Sequence, residues 1–158
     1  MVKEFVTYGF QYDPYLFKPI TNRIYSGKPN GGLWASPVNS EFGWKDWCNA
    51  ALFFKHSGLS EGFIWELSDQ SRILVLDETS NLESLPEKYF LDQVDFGGLI
   101  EERFLNFEKL AQDYDALLLE YSGLKALSGD YLGFNTWDCE SILVFNKEII
   151  KNIKPFKV

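Results

Sequence analysis

Glu140 stands at the head of an apolar run, Ser141-Ile142-Leu143-Val144-Phe145. A carboxylate fixed at a strand mouth stabilises positive charge developing on a reacting carbon. Ser36, which ends Leu33-Trp34-Ala35-Ser36, offers a hydroxyl able to hold such a carboxylate in position. Trp34 and Trp137 offer flat apolar walls that grip a planar ring and exclude water. Gly31-Gly32 lets the backbone approach a flat or phosphorylated ligand closely, and Tyr8-Gly9 sets an aromatic ring beside a second flexible position. Plainer roles fit the same residues. Glu140 suits an ordinary strand start, Gly31-Gly32 a turn, Asp138 a cap and Tyr8 simple packing. Trp34 and Trp137 fit either a core or the walls of a cleft, whereas the helical spacing of Trp44 and Trp47 places them in a core. Cys139, beside Glu140, raises a nucleophile whose base would be His56, far away in sequence.

Composition narrows the field. With 46% hydrophobic and 17% aromatic residues in 158 positions, the chain is foldable as one domain spanning residues 1–158. No apolar run reaches the length that spans a bilayer, and Met1–Phe10 lacks a signal-type apolar stretch. Cys48 and Cys139 are far apart and form no CxxC pair, which fits thiols in a cytoplasmic protein. With His56 the sole histidine, neither a multi-histidine metal site nor a thiolate zinc site is expected. The net charge of −8 repels phosphate backbones and argues against nucleic acid as a partner. Lys147, Lys151, Lys154 and Lys157 read as a solvated helix face or helix end rather than a binding patch.

Residue pattern then locates the elements that must hold the candidate residues. Strands are predicted over residues 4–8, 33–36, 63–67, 73–76, 116–121 and 140–145. Helices are predicted from Trp44 through Phe54, over part of 81–93 broken at Pro86, over 104–114, and over 147–153. Strands and helices intermix without a regular βαβ rhythm, which favours an α+β fold with a mixed or split two-sheet core. No GxGxxG and no GxxxxGK[ST] occurs.

Taken in order, Tyr8-Gly9, Leu33-Trp34-Ala35-Ser36 and Glu140-Ser141-Ile142-Leu143-Val144 resemble the motifs of the ADP-ribosyltransferase superfamily. Tyr8 stands where that family carries histidine or arginine, and Trp34 where tyrosine is common. The resemblance implies NAD as substrate, cleavage of the nicotinamide–ribose bond, and transfer of ADP-ribose to an acceptor that the sequence does not name. It implies Glu140 and Ser36 as catalytic residues, and Tyr8, Gly9, Gly32, Trp34 and Trp137 as NAD-binding residues. Two other functions suit the chain. One is a domain that keeps NAD or ADP-ribose binding without turnover, which the tyrosine at position 8 makes plausible. The other is a non-catalytic acidic binding or inhibitor protein of phage or bacterial defence type. For that role Asp92, Asp95, Glu101, Glu102, Glu108, Asp113 and Asp115 supply an acidic middle that would meet a basic protein partner.

Overall fold

The computed structural model describes residues 3–23, 26–51, 56–94, 101–129 and 131–158, with the side chains of 56, 57, 92–94, 101, 102 and 132 left aside. Its nine strands are β1 (Glu4–Tyr8), β2 (Leu33–Pro37), β3 (Glu61–Leu67), β4 (Ile73–Leu76), β5 (Phe90–Val94), β6 (Glu101–Leu105), β7 (Ala116–Leu119), β8 (Ser141–Val144) and β9 (Ile150–Lys157). Among the described residues the α-helices are α1 (Trp44–Ala50), α2 (Phe107–Asp113) and α3 (Tyr121–Leu127). Seven strands form one mixed sheet in the order β4-β7-β8-β2-β1-β3-β9, and β5 and β6 form a separate hairpin. Among the described residues the β4–β7 pair is parallel and the other pairings are antiparallel.

Strand parity builds two cores, one on each side of this sheet. Leu117, Leu119 and Leu143 face Phe107 and Leu110 of α2, Phe104 and Leu105 of β6, and Tyr131, Phe134 and Trp137. Ala116, Leu118, Ile142 and Val144 face the other way, onto Phe5, Phe63 and Trp65. Covered on both faces, β7 and β8 read as continuous apolar runs rather than alternating ones.

The sheet is divided where β1 meets β2. Only Phe5↔Pro37 and Val6↔Ser36 are paired there, while the opposite end of β2, Leu33 to Ala35, pairs with β8. Beyond Val6 the two strands part. The Thr7 hydroxyl spans the gap, donating to the Trp34 carbonyl at 3.0 Å and accepting from the Trp65 indole at 3.3 Å. The mixed α+β architecture, one seven-stranded sheet and a two-stranded hairpin, agrees with the sequence reading of an α+β fold class.

Several elements differ from the sequence reading, each for a physical reason. Residues 81–93 form two short 3₁₀ turns and then β5, because Pro86 cannot donate within a helix and Asn81 caps the first turn at Glu83. The helix expected over 104–114 begins at Phe107. Phe104 and Leu105 are held in the hairpin opposite Leu91 and Phe90, and Asn106 caps α2 through Lys109. The strand expected to reach Tyr121 stops at Leu119, and Tyr121 opens α3. The expected last helix is a 3₁₀ turn (Lys147–Ile149) leading into β9. α1 ends at Ala50, and Phe54 lies outside the described residues.

Candidate functional site

A cavity of about 430 Å³ opens on the divide between β1 and β2. The register explains which residues reach it. Since Val6 pairs with Ser36 and Trp34 with Leu143, the side chains of Val6, Tyr8, Trp34, Ser36 and Ser141 share one face of the sheet. All five line the cavity. Trp137, from the core on this same face, closes it, in T-shaped contact with the Trp34 ring at 4.7 Å and with its indole N–H fixed by the Gly27 carbonyl at 2.8 Å.

Gly32 also lines the cavity, in the turn that feeds β2. Gly31 and Gly32 have φ of 82° and 72°, left-handed values at which a side chain is strained. A β-carbon on Gly32 would lie 2.7 Å from the Val144 carbonyl and 2.8 Å from Ile20. The pair forms the turn, and Gly32 alone is also cavity wall. Gly9, also at positive φ, donates its N–H to Glu61 at 2.8 Å and does not line the cavity.

Ser36 is a tie point. Its hydroxyl accepts the Trp44 N–H at 3.0 Å, at the start of α1, and donates to the Glu140 carbonyl at 2.9 Å. It thus joins β2, α1 and the segment entering β8, and holds the backbone of Glu140 rather than its carboxylate.

Glu140 itself falls out of phase. Ser141 and Cys139 line the cavity, and the residue between them does not. The Glu140 carboxylate instead accepts the Glu41 N–H at 3.1 Å. Burial raises its pKa above the ordinary glutamate value, the Glu41 N–H opposes this, and the Glu120 and Glu41 carboxylates add to the rise. Of the seven residues singled out in the sequence, Tyr8, Gly32, Trp34, Ser36 and Trp137 converge on the cavity, whereas Gly9 and the Glu140 side chain do not.

The carboxylate that does line the cavity is Asp138, paired with Lys28 at 3.7 Å. Lys28 also stands over the Trp34 ring, 5.6 Å from its centroid. Trp44, expected in a core, is 38% exposed, stacks on Trp47 at 5.0 Å and lines the cavity. Phe10 joins it there, 49% exposed. Burial pushes the pKa of the Tyr8 phenol up, and Asp46 pushes it further, so Tyr8 stays neutral across the physiological range. Burial likewise raises the Cys139 thiol, against the pull of hydrogen bonds from Ser141 and Ser36. The result is a protonated, poorly nucleophilic cysteine. The His56 side chain, its suggested base, lies outside what the structure describes.

Sequence reasoning missed Lys28 and Thr7, and left Asp138 as a cap. No spacing marks Lys28, which sits in a turn-forming stretch. Thr7 carried a signal in its position: it shares strand parity with the apolar Phe5, and a buried polar residue on that face requires a partner.

The three described members of the acidic middle, Glu108, Asp113 and Asp115, are engaged within the fold. Asp113 accepts from Tyr89 at 2.6 Å and pairs with Lys88 at 2.9 Å, and Glu108 accepts the Asn22 N–H at 2.8 Å. Asp115 is buried and accepts from the Arg72 backbone at 2.8 Å and from Asn146 at 3.1 Å. Asp95 and the side chains of Asp92, Glu101 and Glu102 lie outside the described residues.

Among the described residues no helix is long and apolar enough to cross a membrane. Compared with protein-family models, with curated proteins and with solved structures, the chain matches none.

Proposed function

We propose that the cleft between β1 and β2 binds NAD by its nicotinamide end, and that the chain is a binding domain for this dinucleotide or its ADP-ribose portion. The observation that carries this reading is the convergence of Tyr8, Gly32, Trp34, Ser36 and Trp137, distant in sequence, on one cavity of about 430 Å³. That volume lies within the range of small-molecule sites. Aromatic walls suit a planar heteroaromatic ring, and Gly32 is the turn residue that lets β2 pack against Val144 and Ile20 beside the cavity. Asp138, paired with Lys28, supplies a carboxylate in the cavity wall.

ADP-ribosyl transfer is the second reading, and one observation favours it. Glu140 is half-buried between two cavity-lining residues, with its backbone held by Ser36. Its carboxylate faces Glu41, so transfer requires that side chain to rotate toward the cleft. Binding without turnover requires no rearrangement and is the reading preferred here.

The two separate in a pair of measurements. Tryptophan fluorescence should quench saturably with NAD, and Trp34→Ala should weaken that binding at least about tenfold, the loss of one well-placed aromatic wall. Nicotinamide release should be absent in the wild type. Release that disappears in Glu140→Gln would establish the transferase reading, and no quenching at millimolar NAD would remove both.

A further inference from the structure

The cavity already contains a cation supplied by the chain. The Lys28 Nζ stands 5.6 Å from the Trp34 ring centroid and 3.7 Å from Asp138 Oδ2. An aromatic face and a carboxylate thus converge on one positive charge. Both members of the ion pair keep about a third of their side-chain exposure, 34% and 32%. Neither is locked by burial, and a pair in such a setting contributes little to stability. The Trp34 ring also contacts Trp137, with centroids 4.7 Å apart at an interplanar angle of 72°. A ring fixed by its neighbours keeps its face for a cation whether or not the lysine occupies it.

We propose that Trp34 and Asp138 form a subsite for an N-alkylpyridinium cation, with Lys28 as an internal occupant that such a ligand displaces. The proposal rests on the reading of this cleft as a nicotinamide site, and it adds the charge state of the ring recognised. A pyridinium gains the π-face of Trp34 and the carboxylate of Asp138 together, whereas a neutral pyridine of the same shape gains only stacking. The displaced ammonium, compact and strongly hydrated on a flexible stem, returns to solvent at small cost. No covalent step is involved.

Calorimetric titration of the full chain tests this with two probes, neutral nicotinamide and its ring-N-methylated cation. The wild type should bind the cation at least about tenfold more tightly than nicotinamide. Lys28→Met keeps the aliphatic stem and removes the competitor, and should tighten cation binding about three- to fivefold while leaving nicotinamide unchanged. Asp138→Asn should weaken the cation at least about fivefold and nicotinamide less than about twofold. Circular dichroism of each variant confirms the fold.

Equal affinity for the two probes, no detectable heat with either at millimolar concentration, or no gain in Lys28→Met overturns the proposal. Its failure differs from failure of the dinucleotide reading. NAD binding without charge preference removes only the cation subsite. Cation binding without NAD binding keeps the subsite and removes the dinucleotide.

Discussion

Single hydrogen-bonding side chains hold this molecule at its weakest points, and their energetics are open to measurement. Thr7 makes a side-chain hydrogen bond across the β1–β2 divide. Thr7→Val keeps its shape but leaves the Trp34 carbonyl and the Trp65 indole N–H without that partner. The expected cost is about 1–3 kcal/mol, read by urea unfolding, together with weaker ligand binding because the cavity wall loosens. Tyr131 offers a test in alkaline solution. Its buried hydroxyl accepts the Leu105 N–H at 2.8 Å, and burial pushes its pKa up to about 12 against 10.0 for a free tyrosine. Between these values the unfolded chain releases the phenolic proton and the folded chain retains it. The neutral tyrosine's contribution is therefore complete below pH 10 and lost as pH rises toward 12, a fall of about 3 kcal/mol. Tyr131→Phe should be less stable at neutral pH and show a flatter decline over that alkaline window. An equally steep decline in the variant would assign the effect to another group. Glu140→Gln should unfold at the same temperature as the wild type or higher, because a carboxylate whose pKa is raised by burial and by Glu120 and Glu41 destabilises the fold when ionised.

Asp115 shows how elements are joined. It opens β7, donates its N–H to Arg72 at the entrance to β4, and accepts from Phe145 and Asn146 at the exit of β8. Burial pushes its carboxyl upward, but the Arg72 N–H, the Asn146 amide and the Arg72 guanidinium outweigh that and hold it below the usual aspartate range. A depressed carboxylate stabilises the fold above the unfolded pKa, and that stability is lost as pH falls through the folded value. Asp115→Ala should cost about 3 kcal/mol by chemical denaturation and should reduce the acid sensitivity of unfolding; a loss below about 1 kcal/mol would contradict this junction role. The elements legible in the sequence were those with local signals. β4 was placed correctly from a bare Ile-Leu-Val-Leu run, and β1 from its β-branched and aromatic residues. β9 was not, because lysines at 147, 151, 154 and 157 imitate the spacing of a helix face. In the structure their three-residue interval spans a β-bulge, where Asn152 adopts φ of 52° and bonds Glu66 at 2.7 Å. On this outer strand Lys157 pairs opposite Glu61 and Lys151 opposite Glu66, charges that discourage edge-to-edge association.

At the scale of the whole molecule, the site exists because one sheet serves two cores. β7 and β8 are buried on both faces, while β1 and β2 diverge and leave a cavity between them. The aromatic walls of that cavity were legible in the sequence as residue types, but their assembly depended on strand parity. Trp34, Ser36 and Tyr8 are in phase with the cavity, and Glu140 is out of phase by one residue, a distinction that no motif carries. Asp138 and Lys28 meet only through the long-range fold. The central claim is that this cavity takes the nicotinamide end of NAD, and thermal unfolding of the wild type and Trp34→Ala with increasing NAD tests it most directly. Ligand at about 100 times its dissociation constant should add roughly 2.7 kcal/mol, a rise on the order of 5 to 10 °C for a domain of this size. The expected result is that rise in the wild type and its loss in Trp34→Ala. No rise at millimolar NAD, or an equal rise in both proteins, would contradict the claim.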